Sequence, residues 1–352
     1  MKNKNIITNI IKWIIILIAL VIVYFWKNDV ITAAFREIRS FPVGVSLLSL
    51  TATVLHFVVE GFIIHNMTMY EERQMTWWES FRCGLYCAFY KLISLGSLSG
   101  IAEMYYISKH DIDAGRASGI TLVQYVYQKL GITILGVLGF ISLYISGVST
   151  VREYAGWVFL GTLVAVFIIT LLTLISVSKK VADLLAFIAG KLLKIRFIEK
   201  IASKLLGVDE KEGDVTKEIT DKIYTFNDAG LYFWEHKDLC LRVTLLKMLK
   251  MSLWYSIAGI TVYSSKSIAD PITYFLIPML LMAVANMIGT VMVAPAGAGT
   301  IEFVVALLFT PLYGSTSATV AIFYRFFSLV VPFVLGSVVF ATDNPASKPD
   351  HD

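Results

Sequence analysis

The chain has 352 residues, of which 57% are hydrophobic and only 16% charged, with a net charge of +4. Soluble domains usually carry about 25% charged residues, so an ordinary soluble globule is excluded. So mild a basic excess on so apolar a chain also argues against a nucleic-acid protein, and three cysteines give no disulfide framework.

The composition leaves a polytopic membrane protein, and its elements can be taken in order. Lys2, Lys4 and Lys12 flank or precede an apolar run from Trp13 to Trp26. That run ends in Tyr24-Phe25-Trp26-Lys27 rather than in small cleavable residues, which predicts an uncleaved first span over about 10–26. A second span follows at 43–64, then a broken apolar region at 76–107, then spans at 117–145 and 155–178. After a polar stretch, 179–241, come a span at 243–263, a second broken region at 271–313 and a last span at 318–341. Full spans need about 20 apolar residues to cross a hydrocarbon core of about 30 Å.

Fourteen Lys/Arg within 179–250 put that stretch, and the N-terminus with it, on the cytoplasmic side. The connections near 146–154 and 264–270 carry only Arg152 and Lys266, as expected outside. Counting crossings then makes each broken region leave and return on one face, 76–107 on the cytoplasmic face and 271–313 on the outer one. The expected fold is all-α, an inner-membrane protein of about six full spans plus two re-entrant helix pairs. It divides into halves at 1–178 and 242–352 around a cytoplasmic segment, and the halves read as an inverted-topology repeat with a site near the midplane. The two breaks match loosely: Ser97-Leu98-Ser99-Gly100-Ile101-Ala102-Glu103 against Ala296-Gly297-Ala298-Gly299-Thr300-Ile301-Glu302. Each is followed by a cation in the next span, Lys129 and Arg325.

Residues 179–206 read as a basic amphipathic helix, lying in the headgroup layer or packed on the protein's own inner face. Residues 207–241, with Asp209-Glu210-Lys211-Glu212, read as a solvated connector.

The second break carries the most chemistry. Pro295, Gly297 and Gly299 interrupt an apolar run, and a helix restarting near Thr300 would present bare N–H groups and a positive dipole end. Such an end suits a lipid phosphate, although a tight helix crossing through small residues would use the same sequence. Glu302 and Arg325 are charges inside the membrane, so each needs a partner. They are expected to pair, or Arg325, beside Tyr324, is expected to take a phosphate while Glu302 orients it. Gln124/Gln128 and Tyr125/Lys129 stand one turn apart and form a polar stripe on one span. His56 and Glu60 are also one turn apart, as a proton relay or an interhelical hydrogen bond. Lys91 is a candidate partner for Glu103 or Glu60, and Asn286 for backbone at the second break. Cys83 and Cys87 read as helix packing residues, with a metal or redox role as the alternative. The five histidines lack metal-ligand spacing and the common catalytic motifs are missing, so no metal, no cofactor and no enzymatic activity is expected.

These residues carry a family resemblance over roughly 10–341. Gly100, the run Tyr105-Tyr106-Ile107-Ser108-Lys109-His110 and Ala114 resemble the first half of the lysylphosphatidylglycerol synthase transmembrane (flippase) family. Pro295-Ala296-Gly297-Ala298-Gly299-Thr300-Ile301-Glu302, with Gly314, Tyr324-Arg325, Pro332 and Gly336, resembles its second half. The resemblance implies lipid translocation without the soluble aminoacyl-transferase domain. The expected function is thus to bind and flip an anionic phospholipid, glycolipid or polyprenyl-phosphate-linked lipid. The path would be lined by Glu302, Arg325, Glu103, Lys129, Gly297, Gly299, Gly100, Pro295, Asn286, Tyr324, Lys91 and Glu60. The alternative is a non-transporting subunit that docks a lipid-modifying enzyme through 179–241. Expected partners are membrane lipids and no nucleic acid, with a homo-oligomer or a lipid-modifying enzyme as protein partner.

Overall fold

The computed structural model describes residues 39, 41–69, 71, 73–94, 98–193, 214–265, 270–289 and 300–343. The expected first span, residues 194–213, and Pro295, Gly297 and Gly299 at the second break lie outside the described residues. Within them every regular element is a helix.

The first half holds α1 (Val43–Met67), α2 (Trp77–Ile93), α3 (Ser99–Ser108), α4 (Ala114–Ile145), the short α5 (Ser149–Glu153) and α6 (Ala155–Val177). The segment between the halves supplies α7 (Lys179–Leu192) and α8 (Asp214–Glu235). The second half holds α9 (Lys237–Ser265), α10 (Ile272–Gly289), α11 (Thr300–Tyr313) and α12 (Thr316–Thr342). Five of these, α1, α4, α10, α12 and most of α6, are long and apolar enough to cross a membrane. The 29-residue α9 is long enough too but is not apolar enough to join that set. At about 1.5 Å per residue, α3 with 10 residues and α11 with 14 fall well short of a hydrocarbon core of about 30 Å.

Local sequence sets the boundaries. Pro42 precedes α1. Thr76 opens α2 with a capping box, its hydroxyl accepting from the Glu79 N–H while the Glu79 carboxylate accepts from the Thr76 N–H. Asp113 caps α4 through the Gly115 N–H. Inside α12 the chain widens into a π turn at Phe326–Val330, directly after Arg325.

The centre is an antiparallel pair, α1 against α9, with α4, α10 and α12 packed on α9. Around it the halves exchange contacts reciprocally. The helix that begins the first broken region, α2, packs on α12, and the helix that begins the second, α10, packs on α4. At the first crossing Phe89 stacks on Phe340 and Phe333, with centroids 4.5 Å and 5.3 Å away. A side chain at Gly336 would run into the Leu85 carbonyl and sit 2.9 Å from the Phe89 nitrogen, so these backbones touch directly. Arg82 pairs with Asp343 at 3.1 Å and fixes the antiparallel sense. At the second crossing Gly136 of α4 leaves room for Met287 of α10.

The apolar side chains of α6 face outward, Phe159, Leu163 and Phe167 being half or more exposed. On a soluble protein such a face would need a cover; on a spanning helix it is lipid contact.

The expected solvated connector is corrected over its second part. Asp214–Glu235 is a helix packed on α4, α6 and α7, with Phe226, Asn227, Ala229 and Phe233 buried. Asn227 donates to the Ile175 carbonyl at 2.8 Å and so satisfies an end group of α6. Both alternatives for the preceding basic helix find support. Ala182 of α7 is buried against the protein, while Leu184, Phe187, Ile188 and Leu192 remain exposed.

Candidate functional site

The α1–α9 pair buries charge where a bilayer-spanning bundle tolerates it least. Glu60 on α1 receives Lys247 at 3.2 Å on one carboxylate oxygen and Lys250 at 2.8 Å on the other. Lys247 is 1% exposed and Lys250 7%. Ionised groups so placed persist only when paired. Lys250 also donates to the Gln128 side-chain carbonyl on α4 at 3.2 Å.

His56, one turn before Glu60, does not bond to it. Its Nδ1 pairs with the Lys250 carbonyl at 2.9 Å, an interhelical hydrogen bond. Its ring stacks on Trp254 of α9 with centroids 3.5 Å apart.

The two halves treat their matched charges differently. In the second half, Arg325 of α12 holds Glu302 of α11 bidentately, Nε to Oε1 at 2.9 Å and Nη2 to Oε2 at 2.8 Å. This planar fork is the strong form of a guanidinium–carboxylate pair, and Arg325 is 6% exposed within it. Tyr324 donates to Asn286 Oδ1 at 3.0 Å, while Asn286 Nδ2 donates to the Met282 carbonyl of its own helix. Asn286 thereby ties α10 to α12; among the described residues it caps no break.

In the first half the matching pair does not form. Glu103 of α3 takes a hydrogen bond from the Gln124 amide of α4. The Lys129 ammonium lies 5.2 Å from the centroid of Tyr125. The expected pairing of Lys91 is corrected as well. It joins neither Glu103 nor Glu60 in an ion pair, because Lys247 and Lys250 already hold Glu60, and its ammonium lies 5.3 Å from the Trp254 centroid. Gly100 falls inside the first turn of α3, where an added Cβ would meet only Thr121 at 3.7 Å, so no close approach demands glycine there.

These side chains lie within electrostatic reach of one another. Lys91 feels Lys250, Arg325, Glu60 and Lys129, and Glu103 feels Glu60, Lys247 and Lys250. The cluster therefore sets five cations (Lys91, Lys129, Lys247, Lys250, Arg325) against three carboxylates (Glu60, Glu103, Glu302). Sequence reasoning missed Lys247, Lys250 and Trp254. Their i, i+3, i+7 spacing puts them on one face of α9 and was the available signal. In the sequence the two lysines belong to the basic stretch 179–250 that orients the chain.

Cys83 is buried and Cys87 half-buried in α2, both as free thiols. Among the described residues no group of three or more His, Cys, Asp and Glu side chains could hold a metal. Helices α4, α6, α7 and α8 border an open apolar pocket of about 370 Å³ lined by Leu122, Tyr125, Leu172, Leu185, Ile223 and Phe226 among others.

A family model described as the lysylphosphatidylglycerol synthase TM region matches residues 9–336. No curated protein matches the chain.

Proposed function

The chain belongs to the lysylphosphatidylglycerol synthase transmembrane family, a membrane domain associated with lipid handling, and on that premise we propose that it carries an anionic lipid between leaflets. The observation that carries this reading is the excess of cations over carboxylates clustered among α1, α2, α3, α4, α9, α11 and α12, with Lys247, Lys250 and Arg325 buried and Lys91 and Lys129 half-buried. A buried cation without a carboxylate is costly, and an anionic headgroup supplies the missing charge. The reading is transport rather than bond chemistry.

The architecture supports a route. The short α3 and α11 bring helix ends into the interior, and the reciprocal crossings of α2 on α12 and α10 on α4 suit an inverted repeat whose halves rock about the α1–α9 pair. The lipid's acyl chains stay outside, where the pocket beside Tyr125 offers an apolar bed near the cytoplasmic leaflet. The bidentate Arg325–Glu302 pair is the element a passing phosphate would compete for.

The test is lipid transfer in proteoliposomes, with labelled anionic and neutral lipid analogues. The wild type should speed transfer of the anionic analogue. Arg325→Lys keeps the charge but loses the fork. It should unfold within a few degrees of wild type yet slow anionic transfer about tenfold or more, the loss of one charged hydrogen bond. Equal transfer of both analogues by the wild type, or full transfer by Arg325→Lys, would overturn the reading.

A further inference from the structure

We propose that Lys91 and Trp254 form a phosphate subsite within the cluster, one that takes the phosphodiester of a lipid headgroup. The inference rests on the lipid-handling reading and goes beyond it by assigning the residues that grip the anion. Two independent observations converge on the place.

The first is a cation without a counter-ion. Lys91 stands in the last turn of α2, half-buried, and among the described residues it makes no ion pair and no hydrogen bond. Its ammonium lies over the Trp254 ring. The charged groups that act most strongly on it are Lys250, Arg325 and Lys129, all cationic, and the carboxylate of Glu60, whose two oxygens are taken by Lys247 and Lys250. Three ammonium donors therefore stand in a positive field with only an aromatic face to meet them. A cation–π contact is worth about 0.5–2 kcal/mol, which does not replace the lost hydration of a lysine.

The second is an orphan donor on the same ring. Trp254 is 9% exposed, and its indole N–H is buried with no acceptor among the described residues. Indole nitrogen can only donate. A buried donor left unmade costs about 1–3 kcal/mol, so native proteins rarely keep one without a use. His56 stacks on the ring at 3.5 Å and holds it in place, while His56 is itself fixed by the Lys250 carbonyl. The indole is thus a rigid donor beside an uncompensated ammonium.

One ligand answers both deficits. A phosphodiester brings one negative charge and two non-bridging oxygens, one for the Lys91 ammonium and one for the Trp254 N–H. Arg325 and Lys250, already paired, supply the surrounding positive field.

The experiment is native mass spectrometry of the whole protein in detergent. It would be titrated with dioctanoyl phosphatidylglycerol, with dioctanoylglycerol, which has the same chains and no phosphate, and with inorganic phosphate. The wild type should bind the phospholipid well above the diacylglycerol. Lys91→Met should weaken phospholipid binding about tenfold or more, and Trp254→Phe, which keeps a ring for His56, should weaken it several-fold. Neither change should alter diacylglycerol binding. Without lipid, Lys91→Met should unfold at the wild-type temperature or above, because it removes an uncompensated, half-buried charge; a purely structural lysine would lower that temperature.

Wild-type phospholipid binding by both variants would overturn the subsite. If Arg325→Ala alone lost binding, the transport reading would stand and the assignment of Lys91 and Trp254 would fall. A wild type with no preference for phospholipid over diacylglycerol would sink both. Inorganic phosphate bound as tightly as the phospholipid would make the ligand a free anion and overturn the headgroup assignment.

Discussion

Glu60 stands between two lysines, and that placement decides what its loss would do. Glu60→Gln leaves Lys247 and Lys250 buried side by side with no carboxylate between them. Breaking a buried ion pair from one side costs about 3–5 kcal/mol, so the variant should unfold many degrees early in a thermal melt in detergent. Adding Lys247→Met should recover part of the loss. A wild-type melting temperature for Glu60→Gln would show that these pairs do not hold α1 to α9. At this scale the sequence was half legible. His56, Glu60, Glu302 and Arg325 stood out because ionisable groups in apolar runs are conspicuous. Their partners did not, because a lysine's side chain reaches across helices and its sequence position says little about which carboxylate it meets. Arg325–Glu302 formed as the charges suggested, whereas Glu103 turned to the Gln124 amide and Lys91 to Trp254.

At the scale of the element, helix ends tell most about conditions. Asp270, outside the membrane, opens α10 by accepting from the Thr273 hydroxyl and from the N–H groups of Ile272 and Thr273. These hydrogen bonds, the Thr273 hydroxyl's first, hold its carboxyl below the ordinary carboxylate range. A carboxyl lowered on folding stabilises the folded form above its unfolded value, about 4, and that contribution is lost as pH falls through the folded value. Amide exchange over the first turn of α10 should therefore quicken below about pH 4, relative to mid-helix amides. Asp270→Asn should flatten that dependence, and an unchanged profile would remove the cap from the account. Helix α8 shows what hides an element. Its buried Phe226, Ala229 and Phe233 repeat at helical spacing, but the charges around them read as solvated chain. The hydroxyl of Tyr224 on α8 donates to Asp183 on α7 at 3.0 Å and pins these two helices together, which pushes the Tyr224 hydroxyl's pKa up.

At the scale of the whole molecule, the spans were legible because a bilayer demands runs of apolar residues that little else requires. The reciprocal exchange of α2 and α10 between halves was not, since pairing across distant segments leaves no periodic trace. Gly336 is where that exchange is tightest. Gly336→Ala would drive a methyl group into the backbone of α2. Overpacking of this kind costs about 1–3 kcal/mol or more, so the variant should melt early while lipid binding measured on the folded fraction stays near wild type. Loss of binding with an unchanged melt would place the glycine in the lipid path instead. The backbone contact at Gly336 has a mechanical corollary. Helices that meet through side chains can ratchet, trading one set of knobs and holes for the next. Peptide planes pressed together offer no such second seat, so α2 and α12 form a weld, and any rocking of one half drags a helix of the other along with it.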